Sequence, residues 1–174
     1  LQPGLLKGSI RRDASGRKPA LVFDGKSSLA IADPTGPMVE ANAFTVATWV
    51  RVDGAIRGTV VRTGPYSVPF SLTVPSGRAT LQAYVRVGSR VKSRLPGNLQ
   101  RGQWTHVAIT AGDNAVTIYL DGKPVVTKGL PVKVGTQRRP LLVGDGLTGA
   151  IADLRLYDRV LDAGAIAQLA ESKP

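Results

Sequence analysis

The chain has 174 residues, of which 43% are hydrophobic and 20% are charged, and this composition excludes an intrinsically disordered chain. It has no cysteine, which excludes disulfide bonds, thiolate zinc sites and cysteine nucleophiles. Lysine and arginine number 23 against 12 acidic residues, and the resulting net charge of +11 favours anionic partners. The alternative is a charged surface that only keeps the protein soluble.

No run reaches the ~18 apolar residues that cross a bilayer, so we expect no membrane insertion. The first residues, LQPGLLKGSIRRDASG, lack the order of charged and apolar regions that a signal peptide has. We find no internal repeat and no long linker, and we therefore expect a single domain over residues 1–174.

Turn residues such as Gly, Pro, Asn and Asp interrupt the sequence at short intervals, and the segments between them are β-branched and alternating. In chain order, the predicted strands are Ala20–Phe23, Leu29–Ala32, Phe44–Val52, Thr59–Arg62, Phe70–Val74, Thr80–Val87, Arg90–Leu95, Trp104–Ala111, Ala115–Leu120, Lys123–Lys128, Pro140–Val143 and Ile151–Tyr157. The one good helical pattern is Asp162–Leu169, where Ile166 and Leu169 stand three apart. This order predicts an all-β fold, a two-sheet antiparallel sandwich.

Two of these segments predict their own place in the sheets. Both alternating sets of FTVATWVRV (Phe44–Val52) are apolar, which predicts a central strand covered on both faces. Asp121-Gly122 lies between two alternating runs, and this pair supplies the positive φ of a tight hairpin turn.

The segments TLQAYVRV and RVKSRL predict a second hairpin that is rich in basic residues. In each segment apolar residues alternate with polar or basic ones. Only an odd loop, of about three residues centred on Gly88 and Ser89, keeps the two apolar faces together. On this register one open face carries the residues that we predict to bind ligand: Gln82, Tyr84, Arg86, Lys92 and Arg94. Long basic side chains that keep an outer sheet hydrated are the alternative.

Five stretches, in this order, resemble a known family: ALVFDGKSSLAI, AFTVATWVRV, GQWTHVAIT, VTIYLDGKPV and GAIADLRLYDRVLDAGAIAQL. Together they span Ala20 to Leu169 and resemble the laminin-G-like, concanavalin-A-like jelly roll, in the bacterial form found beside carbohydrate-active enzymes and on extracellular surface proteins. The resemblance implies an extracellular location, a final strand beside the N-terminal one, and a closing helical turn. Function is implied only loosely, because this fold carries lectins, adhesion domains, glycosidases and lyases.

The residues that catalysis requires are missing. Glycosidases of this fold use two glutamates on one strand, but the only glutamates here are Glu40, in a loop, and Glu171, near the C-terminus. A lyase would need an exposed base, and the one histidine, His106, lies in WTHVA, which the family uses as a structural strand. We therefore expect no enzymatic activity.

The resemblance also implies a calcium ion at the sandwich edge, with Asp24 and Asp153 among its ligands. Where the family has two acidic residues in the last strand, this chain has Ala152-Asp153, so one ligand is lost. The alternative is that Asp24 bonds its own turn and that Asp153 pairs with Arg155 or another arginine.

Aromatic residues could add sugar stacking. Trp49 and Trp104 lie in the structural stretches quoted above, so we expect them in the core. Tyr84, on the polar face, and Tyr66, in the loop RTGPYSVP, are the better candidates, and Tyr66 completes the predicted ligand-binding set.

These observations favour a non-catalytic carbohydrate-binding module for an acidic polysaccharide, either sulfated or rich in uronate. The alternative is a structural or adhesion domain of a bacterial surface protein that binds protein partners, including other domains of a larger polypeptide. A divergent polysaccharide lyase is the third hypothesis. Nucleic acid is not an expected partner, because no nucleic-acid motif is visible.

Overall fold

The computed structural model describes residues 5–31, 43–54, 58–63, 70–74, 82–87, 89–94, 99–112, 115–129 and 140–174. Within these residues, fourteen strands form two seven-stranded sheets, and one helix follows the last strand. All strand pairs are antiparallel. The predicted fold class, an antiparallel jelly-roll sandwich, is confirmed.

The chain passes between the two sheets several times. In spatial order, the first sheet contains β1 (Leu5–Lys7), β4 (Ser28–Ile31), β13 (Leu141–Val143), β6 (Gly58–Thr63), β7 (Phe70–Val74), β8 (Gln82–Val87) and β9 (Ser89–Arg94). The second contains β12 (Lys123–Gly129), β11 (Ala115–Leu120), β10 (Trp104–Gly112), β5 (Phe44–Val52), β14 (Thr148–Tyr157), β3 (Ala20–Asp24) and β2 (Arg11–Asp13). Runs of consecutive strands such as β6 to β9 and β10 to β12 stay within one sheet.

The central strand β5 is buried on both faces, as its sequence predicts. Its even-numbered residues, such as Phe44, Val46 and Val50, face the core between the sheets, where Phe23, Leu72, Ile109 and Leu141 are also buried. Its odd-numbered residues face the outside of the second sheet, where Thr45, Ala47 and Trp49 are buried and Arg51 is half-buried. There, Trp49 packs with small residues of β3 and β14.

The helix α1 (Ala163–Glu171) covers part of that outer face. Asp162 caps it, because its carboxylate accepts a hydrogen bond from the Ala165 N–H at 2.8 Å. Ile166 is fully buried against Ala47, Ala108 and Tyr119. The helix therefore closes the sandwich, as expected from the apolar spacing in the sequence.

The predicted hairpin turn between β11 and β12 is confirmed. Asp121 and Gly122 have φ angles of 46° and 78°, both in the left-handed region that a tight hairpin turn requires. The Asp121 carboxylate also accepts a hydrogen bond from the His106 N–H at 2.9 Å, so the turn is bonded to the neighbouring strand β10.

Other features differ from the sequence prediction. The three-residue strands β1 and β2 were not predicted, because LLK and RRD are too short to show an alternation. The last strand begins at Thr148 rather than Ile151, and it lies between β3 and β5. Its second half is only partly buried and Arg155 is exposed.

The contact of α1 with the second sheet depends on one fully buried side chain. We expect Ile166→Ala to lower the free energy of unfolding by about 3 kcal/mol, because it removes buried methyl groups and leaves a cavity. Leu6, which is 62% exposed, provides the control. Leu6→Ala should change stability by less than about 0.5 kcal/mol in the same urea titration. Equal losses for the two variants would contradict this packing.

Candidate functional site

The register of the β8–β9 hairpin has the parity that the sequence predicts. Tyr84 pairs with Lys92, and Val85 pairs with Val91. The connection is odd but shorter than expected, because Val87 pairs with Ser89 and only residue 88 lies between them. Residues directly opposite each other share one face of a sheet. One face of this hairpin therefore carries these positions, which we call the basic face: Gln82, Tyr84, Arg86, Arg90, Lys92 and Arg94.

The basic face lies on the outside of the first sheet. On the opposite side of the strands, Ala83 pairs with Leu72 of β7. Leu72 is 1% exposed and belongs to the core between the sheets. Since successive residues of a strand alternate between faces, the basic positions lie on the side away from the core.

Polar residues extend this face across the sheet. Ser71 of β7 pairs with Tyr84 on one side and with Arg62 of β6 on the other. In the next row, Thr73 pairs with Gln82. The Arg62 side chain is 22% exposed and contacts Asp145 at 3.4 Å. The outer face of the first sheet is therefore polar over at least four strands.

At one position, the basic face is less exposed to solvent than the sequence predicts. Gln82 is only 6% exposed, so it does not lie open to solvent as predicted. Ser71, on the same face of β7, is also 6% exposed, so the burial covers two neighbouring strands of this face. For Tyr84, Arg86, Lys92 and Arg94 the structure describes the backbone positions alone, and Tyr66 lies outside the described residues.

Arg62, Ser71 and Thr73 belong to the candidate site but were not predicted as site residues. The segment FSLTV does alternate polar and apolar residues, so the face of Ser71 and Thr73 was readable from the sequence. The alignment of Arg62 with Ser71 depends on a register shift between Thr59 and Val61 of β6 and on strand order, which local patterns do not contain.

The predicted calcium ligands lie apart. Asp24 pairs its backbone with Thr148, whereas Ala152, next to Asp153, pairs with Ala20 at the other end of β3. Four residues of strand separate these pairs, roughly 13 Å. The two carboxylates therefore do not meet at one ion. Among the described residues, no group of three or more acidic or histidine side chains is placed to hold a metal.

Asp24 and Asp153 each have the hydrogen-bond partners that the alternative to calcium binding predicts. The Asp24 carboxylate accepts hydrogen bonds from the N–H groups of Lys26 and Ser27, both at 2.9 Å. The bond from Lys26, followed by those from Ser27, lowers the pKa of Asp24 below its ordinary value. Residues so engaged do not fit the shared ion that the family resemblance implies, and calcium binding as such stays a prediction.

Asp153 holds two basic residues. It accepts a two-pronged pair of bonds from Arg155, at 2.7 and 3.0 Å, and a bond from Lys18. Burial alone would raise the pKa of Asp153, but the bonds from Arg155 and Lys18 outweigh it and hold this pKa below its ordinary value. The φ angle of Asp153 is 51°, at a point where the register of β14 shifts against β5.

His106 is a structural residue. It is 2% exposed and packs edge-on against Trp49, with ring centroids 5.3 Å apart. Burial lowers the pKa of His106 to about 4, although Asp121 and Asp153 oppose this change. Its Nδ1 has no hydrogen-bond partner among the described atoms. A buried, neutral imidazole is not the exposed base that a lyase needs.

The tryptophans also occupy structural positions. Trp49 is 4% exposed, as expected for a core residue. Trp104 is half-buried, and the Arg51 guanidinium lies over its ring at 5.3 Å from the centroid. Arg51 in turn bonds Asp53 at 2.8 Å. This face of Trp104 is therefore covered by a side chain of the protein itself.

Comparison with known proteins identifies the family of this chain. A laminin G family model, described as the concanavalin A-like lectin/glucanases superfamily, matches residues 23–167. Adhesion G-protein coupled receptor V1 of Danio rerio is 27% identical over 157 residues. That match covers 76% of this chain and 2% of the receptor, so the chain spans a very small part of this relative.

Solved structures share the fold. Domain 4 of AbnA, a GH43 extracellular arabinanase from Geobacillus stearothermophilus solved with arabinotriose, has a TM-score of 0.79 at 21% identity, over 97% of this chain and 88% of that one. The binding domain of botulinum neurotoxin DC was solved with SialylT (TM-score 0.75) and with rat synaptotagmin II (TM-score 0.73). Both are 16% identical, over 98% of this chain and 46% of theirs. At these identities the likeness establishes the fold.

The sequence predicts no membrane insertion, and the structure bears on this prediction through its helices. Within the described part of the chain, no helix is both long and apolar enough to cross a bilayer.

The buried His106 predicts a pH dependence of stability. Because its pKa is about 4 in the folded state and about 6.5 in the unfolded chain, the unfolded state binds the proton more readily. The contribution of the neutral His106 to the free energy of unfolding is therefore fully present above pH 6.5, and it decreases as the pH falls toward 4. Between pH 7 and pH 5 we expect a loss of about 2 kcal/mol in urea unfolding. A His106→Gln variant should lack this component, and an unchanged pH dependence in that variant would refute the assignment.

The ionic contacts of Asp153 predict a second loss of stability. Asp153→Asn keeps a side chain that tolerates the left-handed backbone but removes the charge shared by Lys18 and Arg155. We expect a loss of about 1–2 kcal/mol, which is a fall of about 3–6 °C in Tm. Asp158→Asn, whose side chain is 50% exposed, is the control and should shift Tm by no more than about 1 °C.

These melting curves also test for metal. Because Asp153 is bonded to Lys18 and Arg155, the loss in Asp153→Asn should be equal in EDTA and in CaCl₂. A loss that requires calcium would instead make Asp153 a metal ligand.

Proposed function

Because this chain belongs to the concanavalin A-like lectin/glucanases superfamily, we propose that it is a non-catalytic carbohydrate-binding module with a preference for acidic polysaccharide. We place its ligand site on the basic face and its location outside the cell. The sandwich supplies the scaffold, and the outer face of the first sheet supplies the contacts.

One observation carries this proposal: the backbone register of the β8–β9 hairpin. It pairs Gln82 with Arg94, Tyr84 with Lys92, and Arg86 with Arg90. Directly paired residues have Cβ atoms about 4.5–5.5 Å apart, and alternate residues of a strand repeat every ~6.6–6.8 Å. The basic positions therefore form a compact two-column array rather than a scatter over the surface.

Such an array suits a chain of anionic sugars. Arginine binds a carboxylate or sulfate through two parallel hydrogen bonds, and lysine adds a point charge. Each contact at a hydrated surface contributes only about 0–1 kcal/mol, so binding requires several contacts with one polymer. The net charge of +11 raises the local concentration of that polymer around the protein.

Relatives of the same fold support a binding role. The structure of domain 4 of AbnA contains arabinotriose, and that of the neurotoxin DC binding domain contains SialylT. The burial of His106 and the absence of paired glutamates in the sequence support a module without catalytic activity.

A protein-binding adhesion domain is the second candidate function. It is favoured by the 27% identity with an adhesion receptor and by the complex of the neurotoxin domain with rat synaptotagmin II.

The experiment compares two triple variants that each remove three positive charges. Arg86→Ala, Lys92→Ala, Arg94→Ala alters the basic face. Arg11→Ala, Arg12→Ala, Arg17→Ala removes exposed charges of the β2 region and is the matched control. Binding to heparin, polygalacturonate and neutral arabinan is measured by affinity electrophoresis and calorimetry at two salt concentrations.

We expect the parent and the control to bind an acidic polymer, and the basic-face variant to bind it about ten-fold more weakly. Affinity should fall steeply with salt, since screening weakens surface contacts. Circular dichroism should show all three proteins folded. An equal loss of affinity in the two variants would mean that net charge, rather than the basic face, determines binding. Stronger binding to arabinan at high salt, or no binding to any glycan, would favour the alternatives.

A further inference from the structure

A cavity of about 310 Å³ lies on the outer face of the second sheet, between α1 and β14. Arg155 and Tyr157 line it from β14, and Lys18 lines it from the segment between β2 and β3. The helix contributes residues with the spacing of a single helical face: Ala165, Gln168, Leu169 and Ser172. The cavity is thus separate from the basic face, which lies on the other sheet.

The cavity lies next to a register shift in β14. Ala152 pairs with Trp49 and Arg155 pairs with Ala47, so β14 has one residue more than β5 between these pairs. The extra residue brings Asp153 to the outer face beside Arg155. Its φ of 51° lies in the left-handed region, which Asp tolerates better than most residues other than glycine.

Asp153 positions the two cations of the cavity without neutralising both. It uses two of the five N–H groups of Arg155 and one of the three of Lys18. Because one carboxylate faces two cations, the three side chains carry a net positive charge. The described residues that line the cavity include no acid.

The remaining lining residues add polar and apolar surface. Tyr157, Gln168 and Ser172 have side-chain hydroxyl or amide groups, which can pair with the hydroxyls of a ligand. Leu161 and Leu169 provide an apolar wall. The volume lies at the lower end of the range found for small-molecule sites, about 300–1,000 Å³.

We propose that this cavity binds a single uronic acid residue, with its carboxylate at Lys18 and Arg155 and its hydroxyls at Tyr157, Gln168 and Ser172. The residue is either a free sugar acid or the end of an acidic chain, since both present the same groups. The site is independent of the basic face, because the two lie on opposite sheets.

The test is a titration of the folded protein with sodium glucuronate, followed by nitrogen-15 NMR. A ligand of about 13 non-hydrogen atoms is expected to bind with a Kd of about 1 mM. Glucose, which lacks the carboxylate, should bind at least about ten-fold more weakly. A disaccharide with glucuronate at its non-reducing end tests whether the cavity also binds the end of a chain. Binding of either the free sugar acid or this disaccharide supports the proposal.

Two variants locate the site. Arg155→Gln removes the cation, and Ala165→Phe fills the cavity without changing charge, so each should weaken glucuronate binding about ten-fold or more. Lys128→Gln, whose side chain is exposed and does not line the cavity, should bind like the parent. The basic-face triple variant should also bind like the parent, so a failure of one site is distinguishable from a failure of the other.

The proposal is overturned if glucuronate does not bind at 20 mM, if glucose binds equally well, or if sodium sulfate displaces glucuronate at equal concentration. It is also overturned if Ala165→Phe binds like the parent, or if only the basic-face variant loses binding. Melting curves show whether each variant is folded. If either Arg155→Gln or Ala165→Phe is unfolded, glucuronate binding by the other variant decides whether the proposal stands.

Discussion

The central strand β5 must be covered on both of its faces, and the rest of the structure follows from this constraint. Its even-numbered residues are buried in the core between the sheets. Its odd-numbered residues would expose Ala47 and Trp49 unless α1 and the small residues of β14 covered them. This cover occupies the outer face of the second sheet, whereas the ligand site that we propose lies on the outer face of the first sheet. Between α1 and β14, the second sheet leaves a cavity.

Features set by short-range periodicity were predictable. The alternation of FTVATWVRV gave both the bounds of β5 and its burial. The parity of two neighbouring alternating segments was enough to place Tyr84 and Lys92 side by side, because a shift of one residue would have put basic residues against the core. The Asp121-Gly122 turn was readable for a similar reason, since few pairs of residues accept two positive φ angles.

Features that depend on distant parts of the chain were not predictable. Lys18 and Asp153 are 135 positions apart in sequence, and nothing near either residue indicates their bond. The extra residue in β14 appears only when its pairing with β5 is known, and the pairing of β14 with β3 separates Asp153 from Asp24. Gln82 was expected to be open because its own strand shows a polar face, but the burial of that face depends on neighbouring strands.

The order of strands gives the basic residues of this chain another role. The sheets end at four described edge strands, which offer unpaired N–H and C=O groups to any other extended chain. Every one of them carries lysine or arginine: Lys7 in β1, Arg90, Lys92 and Arg94 in β9, Lys123 and Lys128 in β12, and Arg11 and Arg12 in β2. Two such edges from different molecules repel each other, because like charges would face across the new pairing. The excess of positive charge thus opposes edge-to-edge aggregation in a protein that has no disulfide to hold its sheets closed.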